Sequence, residues 1–126
     1  MAEVHVLKNT PQECVLKIYK TDNSGGVLQI ELDGEYIKLP NETFVGSESK
    51  VTIKEIFWGA KKDKQIDISR VSDSVSNTIH GHYYLLNSGS YVFNGFVDDS
   101  YANGAIRFTA DGPFHTILKL SKMGYS

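Results

Sequence analysis

The most constraining stretch of the chain runs from Leu28 to Leu39, Leu-Gln-Ile-Glu-Leu-Asp-Gly-Glu-Tyr-Ile-Lys-Leu. Apolar residues alternate on both sides of Asp33-Gly34, a pair that accommodates the positive φ angles of a type I′ turn. A two-residue loop there predicts a β-hairpin in which Leu32 faces Glu35, Ile30 faces Ile37 and Leu28 faces Leu39. Leu28, Ile30, Leu32, Ile37 and Leu39 then share one face, with Gln29, Glu31, Tyr36 and Lys38 on the other. A slip of one residue would turn the apolar set into water. One dry face and one wet face is the pattern of an antiparallel sheet laid over a core.

The same alternation recurs along the chain. Glu3 to Lys8 alternates as far as Pro11, which cannot donate to a ladder and stops the strand. Residues 1–10 therefore read as an edge strand or an N-terminal arm, completing its own sheet or adding to a neighbour's edge. Glu13 to Thr21 sets Cys14, Leu16 and Ile18 against Val15, Lys17 and Tyr19, and leads through a Gly-rich turn into the hairpin as a three-strand meander. Pro40 to Lys50 reads as a loop between sheets, and its Asn41-Glu42-Thr43 triplet as a chance match to a glycosylation acceptor. In Val51 to Trp58 strict alternation puts Val51, Ile53 and Phe57 on one face and Thr52, Lys54, Ile56 and Trp58 on the other. Lys61-Lys62-Asp63-Lys64 is a charged turn into Gln65 to Val71. Thr78 to Leu86 and Ser90 to Val97 read as a hairpin around Asn87-Ser88-Gly89. Asn103-Gly104 offers a second hairpin, with Tyr101 facing Ile106. Phe114 to Lys122 is the last strand. No window has helical periodicity. About nine or ten short strands predict an all-β fold, an antiparallel two-sheet β-sandwich of jelly-roll-like or Greek-key type, and 126 residues make it a single domain.

A formal charge of -2 gives no general grip on nucleic acid or anionic lipid. No apolar run approaches the roughly 20 residues needed to cross a bilayer. The start, Met1-Ala2-Glu3-Val4-His5, lacks the pattern of a secretion signal, so synthesis in the cytoplasm is expected.

Candidate chemistry is sparse. His80 and His82, two apart on a strand, project to one face and are the best metal candidates; the competing reading is a polar strand entrance with Gly81 at a bulge. Asp98-Asp99 reads better as a solvated turn than as an acid/base pair, since adjacent strand carboxylates face opposite ways. Cys14, the only cysteine, sits in an apolar alternation and reads as a small buried hydrophobe. Lys61, Lys62 and Lys64, with Lys50 and Lys54, read as a solvated edge. Trp58, Tyr83, Tyr84, Tyr91 and Tyr101 could stack on a sugar, although most aromatics must fill the core. No enzyme and no cofactor are expected. The apolar end Ile56-Phe57-Trp58 marks Ile56 and Trp58 as a contact patch, and Val4, Val6 and Leu7 are the apolar residues of the arm.

Four stretches, Val51-Thr52-Ile53-Lys54-Glu55-Ile56-Phe57-Trp58-Gly59, Ile66-Asp67-Ile68-Ser69-Arg70, Tyr91-Val92-Phe93-Asn94-Gly95-Phe96 and Ile117-Leu118-Lys119-Leu120-Ser121-Lys122-Met123-Gly124-Tyr125, carry a resemblance. The chain from about Val51 onward resembles small all-β virion structural proteins of tailed bacteriophages, including capsid decoration (cement) proteins. The resemblance implies a non-enzymatic protein of the virion, made in the host cytoplasm, that binds the major capsid protein and stabilises the shell. It also implies a symmetric homo-oligomer on a symmetric particle. A tail or neck component is the nearest variant, and a carbohydrate-binding sandwich is the alternative from another class.

Overall fold

The computed structural model describes residues 2–23, 25–45, 48–71, 79–93 and 102–125, of which 79–82 are described as backbone only. Among them are nine strands: β1 (Glu3–Asn9), β2 (Glu13–Lys20), β3 (Gly26–Ile30), β4 (Lys50–Ala60), β5 (Gln65–Val71), β6 (Ile79–Leu86), β7 (Ser88–Val92), β8 (Ala105–Ala110) and β9 (Phe114–Met123). They form two antiparallel sheets, a five-stranded one in the order β1-β2-β9-β4-β7 and a four-stranded one in the order β3-β8-β5-β6. Every connection except β1–β2 and β5–β6 crosses from one sheet to the other. This is the winding of an eight-stranded jelly roll, β2 to β9, with β1 added at one edge.

Alternation dictates the core where it is regular. Leu16 and Ile18 on β2 and Leu118 and Leu120 on β9 are fully buried, and across the sandwich they meet Ile66, Ile68, Ile106 and Phe108. The β1–β2 turn is closed by Thr10, whose N–H donates to Glu13 O at 2.8 Å while its Oγ1 accepts from Glu13 N–H at 3.0 Å. Pro11 sits in that turn, where a missing donor costs nothing.

The predicted Leu28–Leu39 hairpin does not form. β3 ends at Ile30 and pairs with β8, Leu28 opposite Phe108 and Ile30 opposite Ile106. Residues beyond it coil through turns, with Gly34 N–H donating to Glu31 O and both Ile37 and Lys38 N–H donating to Gly34 O. A type I′ turn needs positive φ at both central residues, and neither Asp33 nor Gly34 has it. The apolar set is buried all the same: Leu32 and Ile37 turn inward and plug one end of the sandwich. The meander fails for the same reason, because β3 lies in the opposite sheet from β1 and β2.

Two more predicted hairpins give way to crossings. Asn87, at φ 58°, turns the chain from one sheet to the other, so β6 pairs with β5 and β7 with β4. Ile106 is flanked by Ile30 and Arg70, which leaves no edge for Tyr101; Tyr101 and Asp98-Asp99 themselves lie outside the described residues. On β4 a bulge between Ile53 and Glu55 resets the alternation. Ile56 therefore enters the core with no exposure, and Phe57 points out, 41% exposed.

The plugged end is held by polar contacts inside the apolar shell. Lys122, the last inward residue of β9, donates to Glu42 Oε1 at 2.7 Å and to Asn9 Oδ1 at 2.9 Å. Tyr125 donates to Leu32 O at 2.7 Å, and Ser49 Oγ donates to Gly124 O at 2.9 Å. Gly124 has φ 76°, and a Cβ there would strike the Glu48 carbonyl, so only glycine fits.

At the same end of the sandwich, where Val51 pairs with Lys122, Arg70 is a buried staple. Its guanidinium donates to Val51 O at 2.8 Å, to Ala102 O at 2.9 Å and to Gly104 O at 2.7 Å, joining β4 to the turn that precedes β8. Arg70→Met keeps the apolar stem but orphans buried carbonyls, and is expected to lower unfolding free energy by at least about 3 kcal/mol. Urea denaturation of the two proteins, compared at the same slope, measures it.

Candidate functional site

The five-stranded sheet outruns the four-stranded one, so the inner face of edge strand β1 is only partly covered. Val4, opposite Ile18, is half-buried against the core, whereas Val6, opposite Leu16, is 44% exposed. Leu7 is the extra residue of a bulge between Val6 and Lys8 and is 54% exposed. Of the predicted contact residues, Val6 and Leu7 thus lie at the surface and Val4 partly so. Ile56 is a core residue, and the surface role expected of it falls to Phe57. Trp58 faces inward, half-buried, its indole N–H donating to Leu86 O at 3.0 Å.

Leu7 rims a broad groove of about 1180 Å³ on the outer face of the five-stranded sheet. Register builds this groove: β2 and β9 set Lys17 opposite Ile117 and Tyr19 opposite His115, and β4 sets Gly59 opposite His115. A Cβ on Gly59 would run into the His115 ring, so glycine lets that imidazole lie over β4. His5 and Tyr19 rings are 5.4 Å apart, and Lys17 Nζ lies 5.6 Å from the Tyr19 ring. Lys61 and Lys62 close the far rim. A hydrogen bond with the Glu3 carboxylate pushes the Tyr19 phenol above its ordinary range, so it is a neutral phenol at physiological pH. The groove is apolar and aromatic in its floor and cationic at its rim.

The other end of the same sheet face is electrostatically self-satisfied. Lys119 lies 3.3 Å from Glu55 and 3.5 Å from Glu13, and Lys8 lies 2.9 Å from Glu13. The hydrogen bond from Lys8 is the chief reason the Glu13 carboxyl titrates below its usual range. The groove, by contrast, is lined by Lys17, Lys61 and Lys62.

The aromatic candidates divide. Trp58 and Tyr91 are 5.2 Å apart, Tyr83 and Phe93 5.9 Å, and Tyr91 and Phe93 stack at 11°. These rings pack face to face or tilted against one another and close the β6–β7 edge of the sandwich. Tyr84 points the other way, and Tyr101 lies outside the described residues. The backbone of His80 sits opposite Arg70 on β6, but the side chains of His80 and His82 also lie outside the described residues. Among the described residues no three His, Cys, Asp or Glu side chains converge to hold a metal ion.

Cys14 is wholly buried, its Sγ donating to Tyr36 O at 3.3 Å. Burial pushes its thiol up to about 11, with Glu42 adding to the shift and Lys122 opposing it. A protonated, enclosed thiol is no nucleophile. In the folded protein Cys14 should react with a chromogenic disulfide at mildly alkaline pH only as fast as the chain opens, and at full speed in denaturant. Gly89→Ala would place a methyl 2.8 Å from Trp58 Cζ2, so it should shift the tryptophan emission while leaving the sheet signal in circular dichroism intact. Compared with protein-family models and with curated proteins, the chain matches none.

Proposed function

We propose that the protein is a non-enzymatic structural protein of a tailed-phage virion, a capsid decoration protein that binds the major capsid protein and stabilises the shell. The observation that carries this reading is a groove on the outer sheet face that joins the exposed Leu7 of the edge strand to Lys61 and Lys62 at its rim, with Val6 exposed on the inner side of the same strand. Apolar side chains give a contact its core, and lysines at its rim select an acidic counterpart and speed its encounter. The residues found there suit shape and charge matching. The sugar reading is less favoured, because the rings a glycan would stack on are turned against one another. A decoration protein works as a symmetric oligomer, and the exposed β7 edge, with Tyr91 42% and Val92 49% exposed, is the surface left for that contact.

Sedimentation with emptied capsids of the encoding phage tests the reading. Wild-type protein should bind saturably, and Leu7→Asp or Lys61→Glu should weaken binding about tenfold, the effect of about 1.4 kcal/mol, with unchanged melting temperature. Failure of the wild-type protein to bind any virion component would overturn it.

A further inference from the structure

The Lys122 cluster, which helps to hold the plugged end of the sandwich, also brings an amine, a carboxamide and a carboxylate together. The Lys122 side chain is fully buried and that of Glu42 is 6% exposed. Lys122 Nζ lies 2.7 Å from Glu42 Oε1 and 2.9 Å from Asn9 Oδ1. Asn9 Nδ2 donates to Ile37 O at 2.9 Å, which fixes the amide orientation and turns its carbonyl to the amine. Leu39 N–H donates to Glu42 Oε1 at 2.8 Å and holds that carboxylate in place. Its second oxygen, Oε2, is buried without a hydrogen-bond partner. A purely structural ion pair would satisfy both oxygens, because an orphaned one costs stability. The Tyr125 ring, 5.0 Å from Nζ, helps to keep water out.

An amine, a carboxamide and a carboxylate so arranged are the reactants and the catalyst of amide exchange. The geometry points to an intramolecular isopeptide bond between Lys122 Nζ and Asn9 Cγ, formed within the folded chain with Glu42 as the proton carrier. The step begins when Lys122 Nζ passes a proton to Glu42 Oε1, 2.7 Å away. The freed lone pair on Nζ attacks Cγ, forming the N–C bond, and the carbonyl π pair moves onto Oδ1. The proton held by Glu42 goes to Nδ2. The carboxylate then takes the second proton from Nζ as the tetrahedral centre collapses. The Cγ–Nδ2 bond breaks, the C=O reforms, and Nδ2 leaves as ammonia. Two protons leave Nζ, one ending on ammonia and one on Glu42, and no oxidant is needed. Burial pushes the Glu42 carboxyl up, but Lys122, the Leu39 amide and Lys38 together hold it below its ordinary range, so the base is ready before the step. Nζ already holds the Asn9 carbonyl oxygen at 2.9 Å, so the reactants are held together within one chain, and such positioning supplies much of the acceleration of an intramolecular reaction.

The bond would tie β1 to β9 across 113 positions of sequence. The intact mass of the purified full-length chain decides the matter. The expected result is a deficit of about 17 Da, one ammonia, and after digestion a single branched peptide joining the segments that carry Asn9 and Lys122. Asn9→Ala and Glu42→Gln should each restore the full mass. A wild-type chain at full mass after prolonged incubation would overturn the inference, and so would a deficit without the branched peptide, which marks a cyclised asparagine instead. If Glu42→Gln does not fold, the wild-type mass and peptide map decide alone. If it folds and still carries the branch, Glu42 is not the proton carrier.

Discussion

The pairing of β9 on both of its edges holds the five-stranded sheet together. β9 lies between β2 and β4, pairing with β2 from Glu13 to Lys20 and with β4 from Lys50 to Ala60. Its inward residues, Phe114, Thr116, Leu118, Leu120 and Lys122, run down the middle of the core. Until they are in place β2 and β4 have no common neighbour, and the groove built from Tyr19, His115 and Gly59 does not exist. Pairing of such distant segments pays a loop-closure cost before it gains contacts, so folding through this strand is inherently slow.

The same dependence explains what could be read from the residues alone. Alternation in 13–20 and 114–122 exposed both core strands, since each has one regular face and an unbroken period. Alternation in 28–39 gave the correct buried residues, Ile30, Leu32 and Ile37, for the wrong element. A local pair, Asp33-Gly34, favoured a hairpin, while β8 offered β3 a full ladder and the open end of the sandwich offered Leu32 and Ile37 a dry place. Long-range burial outweighed turn preference. On β4 the bulge after Ile53 has no sequence mark, so Ile56 and Phe57 exchanged faces and one predicted contact residue became core. The groove was legible only in part: Lys17 and Tyr19 read as one face of a strand, but their meeting with His115 and Ile117 depends on a register between strands about a hundred residues apart.

The Lys122 cluster lay beyond sequence reasoning altogether. Asn9 lay between the first strand and Pro11, Glu42 in a loop within a chance glycosylation triplet, and Lys122 at the end of the last strand. Their convergence follows from three separate facts. β1 and β2 meet at the Thr10–Glu13 turn, β9 pairs beside it with Lys122 N–H donating to Gln12 O, and residues 31–45 fold across both. Burial of a lysine is rare without a partner, and here two partners came from segments with no periodicity to betray them.

These two regions share a strand, and that has a mechanical consequence. β1 carries Leu7 at its bulge and Asn9 at its end, and among the described residues its one ladder is with β2. A pull on Leu7 would load that ladder at the edge of the sheet, where hydrogen bonds open one after another. The bulge already interrupts pairing between Val6 and Lys8, which blunts the edge against joining other chains and also weakens it. A strand used as a clamp therefore needs an anchor on the far side of the bulge from the load. Asn9 is the residue in that position, and its partner Lys122 belongs to the strand most firmly embedded in the core. A hydrogen-bonded anchor resists peeling as long as the end stays dry; a covalent one would resist it irrespective of water. The placement of the amine and the amide at the root of the exposed edge, rather than elsewhere in the core, is what a fold under load from β1 would favour.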